Sequence, residues 1–414
     1  MRSNYKKIGE HIQLVDERNE GLKVQQLLGL SISKQFIPSV ANIIGTDMEN
    51  YKIIRKNQFA CSTMQVRRDK KIPVALLQEV DEAIISQAYP IFEVKNEKEL
   101  LPEYLMMWFT RSEFDREACF NAVGGVRGSL EWEDFCEMQL PIPSPAKQKE
   151  IVKEYNTIVN SINLNKQLIQ KLEETAQAIY KQWFVDFEFP DENGLPYKSS
   201  GGEMVESEMG EIPKSWEVGK LGDITDVING YAFGSSDFKI HGTYPIIKIA
   251  NILSPDVELE TAQYFSGEIN NGIKKSIVRD GDILISMTGS HMNQINSAVG
   301  KIGRYNYDVP AILNQRVGKL QPKGKCSEYL FRIMLKEDTQ KEILMAATGS
   351  ANQANIAPDT IKNVRVIIPS QTILEMFENV GTLIKVQGSN YEKQNRKLKE
   401  LKSLLLSKLA TIEN

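Results

Sequence analysis

Residues 121–144 read NAVGGVRGSLEWEDFCEMQLPIPS, and residues 347–370 read ATGSANQANIAPDTIKNVRVIIPS. Each stretch passes from a loop of small residues through a hydrophobe and a short amphipathic segment to apolar residues that end on Pro-Ser. The offset of 226 residues is far beyond the roughly 20–50 residues of a solenoid unit. A second echo, KKIGEHIQLV (residues 6–15) against GKLGDITDVI (residues 219–228), is offset by 213. A net insertion of about 13 residues in the second half reconciles the two, and loops absorb such insertions at little entropic cost. A repeat this long is a whole domain written twice.

After each Pro-Ser the pattern becomes that of a long helix. Ile151, Tyr155, Ile158, Ile162, Asn165, Ile169, Leu172, Ala176, Ile179 and Trp183 alternate steps of four and three, which is a heptad seam. Asn165 is its only polar member, and a buried Asn in such a seam commonly fixes register. The second series is Phe377, Val380, Ile384, Gln387, Tyr391, Gln394, Leu398, Leu401, Leu405 and Lys408, with seven of ten positions apolar. A domain-plus-helix unit repeated in tandem is arranged about a pseudo-twofold axis only if the two helices run antiparallel. Residues 147–182 number 36, or roughly 54 Å of helix, a rod able to hold two heads at a fixed separation.

Both domains read as mixed α and β. DGDILISMTGS (280–290) and VRVIIP (364–369) have the apolar, Gly- or Pro-bounded look of strands, while residues 100–119 and 327–344 show helical spacing at matching places. The fold expected is therefore α+β, with two mixed α/β domains over 1–146 and 218–370. Long helices over 147–184 and 371–410 pack as an antiparallel coiled coil. Residues 185–217, rich in Gly, Ser, Glu and Pro, read as a linker.

Composition narrows the functions available. Hydrophobic content of 41% and charged content of 25% are those of a globular protein. No stretch approaches the roughly 20 apolar residues that span a bilayer, and residues 1–15 lack a signal-peptide core, so a cytoplasmic protein is expected. Cys61, Cys119, Cys136 and Cys326 are isolated and signal neither a disulfide framework nor a zinc site. A net charge of −4 argues against simple coating of nucleic acid, which requires clustered cations. Two local clusters exist, VRRDKK (66–71) and the run Lys301, Arg304, Arg316, Lys319, Lys323 and Lys325, opposed only by Asp308.

Catalytic signatures are missing together. His11, His241 and His291 lie apart from any nucleophile motif, and the chain has no P-loop, dinucleotide fingerprint, His-Glu-x-x-His or amino-methyltransferase Pro-Pro-Tyr element. Such a chain acts by holding other molecules.

Across essentially its whole length the chain resembles the specificity (S) subunit of type I restriction-modification systems. The likeness is carried by AQAIYKQWFVDFEFP (176–190), SSGGEMVESEMGEIPKSWEVGKLGDI (199–224), INGYAFGSSDF (228–238), VRDGDILISMTGS (278–290), AILNQRVGKLQP (311–322) and ANQANIAPDTIKNVRVIIPS (351–370). The first domain matches through GGVRGSLEWEDFCEMQLPIPS (124–144) and lacks the Gly-Tyr-Ala-Phe element. The resemblance implies two target recognition domains, each reading half of a bipartite, asymmetric double-stranded DNA target, with an antiparallel helical spacer over the unread gap. It further implies two methylation subunits that flip and methylate an adenine in each half-site, and restriction subunits that cleave. The S chain itself would be non-catalytic and bind neither S-adenosylmethionine nor ATP.

Under that reading the changing words of the repeat are candidates for base readout, since Arg suits guanine and Asn or Gln suits adenine. The candidates are Asn352, Gln353 and Asn355 with Asn314, Gln315 and Arg316 in the second domain, and Arg127, Ser129, Arg67 and Arg68 in the first. Tyr231 and Phe233 read as core aromatics. Two other classes stay open, a stand-alone DNA-binding or coiled-coil interaction scaffold, and an enzyme whose residue group is unrecognised.

Overall fold

The computed structural model describes residues 5–39, 47–125, 128–289, 298–350 and 353–412. The chain divides into two compact units, Met1–Leu164 with Asn395–Asn414, and Asn165–Gln394.

In the first unit four antiparallel strands stand in the order Ile12–Val15, Ile91–Val94, Phe59–Cys61, Val74–Leu76. Phe59 and Phe92, paired across neighbouring strands, stack at 4.9 Å. The helices Pro102–Phe109, Ser112–Asn121 and Trp132–Glu137 add Phe109, Phe114 and Phe135, all buried in one core. Each such side chain contributes roughly 1.5–3 kcal/mol by leaving water. Ile151 from the first long helix and Leu406 and Leu409 from the end of the chain join the same core.

In the second unit a six-stranded sheet runs in the order Thr225–Asn229, Val317–Pro322, Ile283–Ser286, Ile302–Arg304, Asp256–Val257, Ile252–Leu253. A four-stranded sheet contains Gln263–Phe265, Tyr244–Ile247, Ala311–Leu313 and Ile277–Val278. The segments read as strands at 280–290 and 364–369 contain Ile283–Ser286, Thr288–Gly289 and Arg365–Ile368.

The two sequence echoes are the two sides of one ribbon. In the first unit Tyr5–Lys7 pairs antiparallel with Gln139–Pro141, just ahead of the first Pro-Ser. In the second, Glu217–Lys220 pairs antiparallel with Arg365–Ile368, just ahead of the second. The strand then turns into a single helical turn in both places, Ile8–His11 and Leu221–Ile224. Each turn is tied by an equivalent bond, Ile8 N–H to Met138 O at 2.8 Å and Leu221 N–H to Val364 O at 2.9 Å.

The helical stretches at matching places are each two helices. Arg111, at φ −70° and ψ 141°, separates Pro102–Phe109 from Ser112–Asn121. Lys336, at φ −64° and ψ 134°, separates Ser327–Leu335 from Glu337–Met345. An extended residue breaks the i to i−4 ladder and lets the second helix leave at an angle, which a spacing pattern in the side chains does not record.

The long helices span Pro145–Phe184 and Gln371–Lys408. All ten seam positions read in the first are buried or half-buried. In the second, Phe377, Val380, Ile384, Tyr391, Leu398 and Leu405 are covered, whereas Gln387, Gln394, Leu401 and Lys408 are exposed. The covered face instead runs through Gly381, Gly388, Asn395, Lys402 and Leu409, one residue further on at alternate positions. Val380 is half-buried and its neighbour Gly381 is buried, where a Cβ would stand 2.6 Å from Glu328 Cγ. The glycine is there because another side chain lies on it.

The Gly- and Ser-rich stretch 185–217 carries a hairpin, Met204–Ser207 with Gly210–Pro213. Its Phe187, Phe189 and Trp216 are buried in the core of the second unit, with Phe189 and Trp216 stacked at 5.0 Å. Widely spaced aromatic anchors leave no periodicity to read.

Candidate nucleic-acid interface

In the first domain the structure brings together residues far apart in sequence. Arg67 and Arg68 lie on the short helix Val66–Asp69, flanked by Gln65 and Lys70 in the left-handed region at φ 64° and 52°. Arg67 Nη1 donates to Gly124 O at 2.9 Å, and Val66 N–H donates to Gly128 O at 3.0 Å. Val123 and Ser129 exchange backbone bonds at 2.7 and 2.9 Å, closing the loop that holds Ser129. The arginine helix and the loop are therefore one surface element. Both arginines are exposed, but Arg68 spends its Nε and Nη2 on Asp69 at 2.6 and 3.0 Å. That hydrogen bond raises the Arg68 pKa and lowers the Asp69 carboxyl below its usual range. Arg67 thus retains the more available charge. Arg127 lies outside the described residues.

In the second domain Asn314, Gln315 and Arg316 form the turn between Ala311–Leu313 and Val317–Pro322, closed by Val317 N–H to Asn314 O at 2.9 Å. Asn314 is half-buried and its N–H is taken by Ile247 O at 2.9 Å, whereas Gln315 and Arg316 are exposed. Arg316 Nη1 reaches Asn355 Oδ1 at 3.4 Å, and Thr288 Oγ1 donates to the same oxygen at 3.0 Å. Asn355 ends the strand Gln353–Asn355, which lies between Thr288–Gly289 and Thr348–Ser350 in a three-stranded sheet. Asn352 lies outside the described residues. Of the second domain's candidates, Arg316 and Asn355 thus converge. Thr288, which sequence reasoning passed over, holds the Asn355 amide oriented; its only sequence signal was its place in the motif SMTGS.

The Gly-Tyr-Ala-Phe element has a structural explanation. A Cβ at Gly230 would stand 2.1 Å from Asn314 O, so only glycine lets the 314–316 turn approach this segment. Tyr231 and Phe233 pack against a core containing Ile246, Phe265 and Ile312, with the Phe233 and Phe265 rings 5.2 Å apart.

The basic run from 301 to 325 does not form one face. Arg304 is buried and paired with Glu328 at 2.7 Å, and Lys319, Lys323 and Lys325 pair with Asp282, Asp226 and Glu375. Around Arg304 lies a cavity of about 120 Å³ whose lining, including Glu173, Glu328, Arg332 and Lys385, mixes both signs of charge. Of the histidines, His11 Nδ1 lies 3.8 Å from Glu99 Oε2, His241 is exposed, and His291 lies outside the described residues. Burial pushes the Cys61 thiol up to about 12 and the Cys326 thiol up to about 11, far from the thiolate a nucleophile needs. Among the described residues no group of three or more His, Cys, Asp or Glu is placed to hold a metal ion, and no helix is long and apolar enough to cross a membrane.

Two domains built on an equivalent ribbon, each with exposed cations on its surface, define a tandem-domain protein. Residues 41–174 and 213–394 match the family described as the type I restriction modification DNA specificity domain. The type I restriction enzyme MjaVIII specificity subunit of Methanocaldococcus jannaschii is 26% identical over 287 residues, which take in 68% of this chain and 64% of that protein. The chain thus spans just under two thirds of the length of this relative. The HindI specificity subunit of Haemophilus influenzae is 22% identical over 422 residues, 89% of either chain. In fold the chain is similar to the type I restriction-modification S subunit from M. genitalium, with a TM-score of 0.56 at 14% identity, covering 99% of this chain and 96% of that one. The chain belongs to the type I restriction-modification specificity subunit family.

Proposed function

We propose that this chain recognises a bipartite, asymmetric double-stranded DNA target, one domain per half-site, and directs adenine methylation and restriction carried out by partner subunits. The observation that carries the reading is the contrast between a shared ribbon and divergent loops. The parts that join each domain to its helix are equivalent, while the surface loops offer Arg67 and Ser129 in one domain and Gln315, Arg316 and Asn355 in the other. Different readers on a common frame suit a target whose halves differ.

The chemistry of those groups assigns the contacts. Arg316, oriented by Asn355 and Thr288, presents a fork suited to the O6 and N7 of guanine. Gln353 and Asn352 on the adjoining segment suit adenine edges, as do Asn314 and Gln315 where they reach a base. In the first domain Arg67 and Arg127 suit guanine, whereas Ser129 and the ion-paired Arg68 suit phosphate.

The two long helices pair antiparallel as a coiled-coil spacer, with Asn165 fixing register. Within the first unit Ile151 shares a core with Leu406 and Leu409. Within the second, Asn165 Nδ2 donates to Gln394 Oε1 at 3.4 Å and the Trp183 and Phe377 rings lie 5.8 Å apart. Rising numbers on one helix meet falling numbers on the other, which supports that pairing. The spacer sets the number of unread base pairs. Two methylation subunits supply base flipping and methyl transfer, restriction subunits supply cleavage, and this chain, acting in the cytoplasm, binds no cofactor.

The test is a methylation map of DNA from a host expressing this chain with its cognate methylation subunits, against the same host lacking the chain. A bipartite adenine-methylated motif that vanishes with the chain is expected. An unchanged map with an assembled complex moves the reading to a DNA-binding or coiled-coil scaffold.

A further inference from the structure

The end of the helix Ser112–Asn121 carries apolar side chains that the first unit leaves uncovered. Phe120 is 85% exposed, and Val123, three residues on, is 60% exposed. Met64, itself 47% exposed, follows Thr63, whose carbonyl accepts the Leu130 N–H at 2.9 Å at the far end of the same loop. Cations lie near this helix end, alongside Glu113 and Glu117 on the same helix. Arg116 lies one turn before Phe120 on the same face with 72% of its side chain exposed. Cys119 Sγ lies 3.4 Å from Val66 O, which sets the helix end against the element bearing Arg67, and Lys70 beyond it is exposed.

The second domain repeats the arrangement with different residues. Met345 ends the helix Glu337–Met345 and is 80% exposed. Lys341, one turn before it, is 63% exposed and pairs with Glu337, much as Arg116 pairs with Glu113. The strand pair Thr348–Ser350 and Gln353–Asn355 follows Met345 where the Val123 to Ser129 bridge follows Phe120. Apolarity, exposure and the preceding cation persist while identity changes. A large apolar side chain held in water at equivalent places in two divergent domains calls for a covering surface.

We infer that Phe120 and Met345 are specificity-determining residues that contact the apolar surface of bases in their half-sites. This rests on the function proposed above and adds an apolar component to its polar readers. A small exposed apolar patch with a cation one turn before its main side chain matches a nucleic-acid groove, where base surface lies between rows of phosphate. It falls well short of the roughly 1,000 Å² that a stable protein interface needs. The apolar surface is either a thymine methyl group or the face of a partly unstacked base.

The test uses the full-length chain assembled with its methylation subunits and a duplex carrying the mapped target. Phe120→Ala is expected to weaken binding roughly tenfold with an unchanged salt slope, because no phosphate contact is lost, and Phe120→Leu to restore most of it. Met345→Ala is expected to act only through the other half-site. Uracil replacing each thymine in turn marks a methyl contact where it weakens the wild type and leaves Phe120→Ala unaffected. A rise in 2-aminopurine fluorescence that the wild type causes and Phe120→Ala does not marks an unstacked base. Wild-type affinity in Phe120→Ala overturns the inference. So does a variant that binds DNA normally but loses its methylation subunits, which would make the patch a protein-docking surface. A wild-type complex that fails to distinguish the target from a scrambled duplex sinks the proposed function itself, and the inference with it.

Discussion

Beside apolar packing in both units, the polar contacts that tie the second domain to the long helices are ionic and those that tie the first are neutral, although the same ribbon leads into both. In the second unit Arg332 pairs with Glu173 of the first long helix, its Nη2 2.8 Å from Oε2. Glu328 takes Arg304 at 2.7 and 3.0 Å and lies 3.9 Å from Lys385, and Lys393 reaches Asp308 at 2.7 Å. In the first unit Gln148 is fully buried, accepts from Leu101 N–H at 2.9 Å, and donates to Glu99 O and Pro143 O at 2.7 and 2.8 Å. The Tyr5 hydroxyl donates to Ala410 O at 2.9 Å. One backbone topology is satisfied by two chemistries with different liabilities. Ion pairs removed from water are costly to break from one side, whereas an amide latch loses only its hydrogen bonds.

The largest expected effect treats the domains as independent heads. Four residues inserted within Pro145–Phe184 add roughly 6 Å of helix, and the methylation map should show an altered gap, or no methylation because assembly fails, with both half-sites retained whenever methylation survives. A changed half-site sequence would refute the division of labour. Next in size, Glu328→Ala strands the buried Arg304 and is expected to cost about 3–5 kcal/mol in denaturant unfolding; a loss below about 1 kcal/mol would show that the ionic junction carries little. Gln148→Ala, its neutral counterpart, should cost about 2 kcal/mol, with the increased hydrogen exchange confined to segments around residues 99–101 and 143. Exchange spread over the second unit would mean that the junctions are coupled.

The smallest effect is a pH dependence expected on the charged side alone. Burial, ahead of the nearby Glu328, raises the Glu378 carboxyl above 4.5. Its stabilising contribution is therefore complete below 4.5 and is lost as pH rises through the higher folded value. Glu378→Gln keeps an acceptor for the Glu328 N–H, bonded at 2.8 Å, and removes the charge. Its stability relative to wild type should rise between pH 5 and pH 8 in paired denaturation curves; a flat difference would remove the pH contrast between the junctions.

What could be read from sequence was what repeats or alternates. The two echoes mark the two strands of each ribbon, and the first long helix shows its seam because its covered positions are nearly all apolar. The second seam was misplaced at later alternate steps because its covered face passes through Gly388, Asn395 and Lys402, which a hydrophobic pattern does not encode. The pairing of Arg304 with Glu328 was hidden for a similar reason, since a buried ion pair and a solvated one are spelled alike. At the candidate interface, residue type singled out Arg316 and Asn355, but only the fold shows that Thr288 joins them and that Arg67 meets a loop 57 residues further on.

The ribbon that begins and ends each domain also bears on how such a chain can change. Tyr5–Lys7 lies beside Gln139–Pro141, and Glu217–Lys220 beside Arg365–Ile368, so each domain enters and leaves its scaffold through neighbouring strands. A coding segment exchanged between two such points replaces a whole domain and preserves the backbone pairing at the seam. Recombination at those points would yield new preferences in one step, where single substitutions would have to rebuild a reading surface one contact at a time.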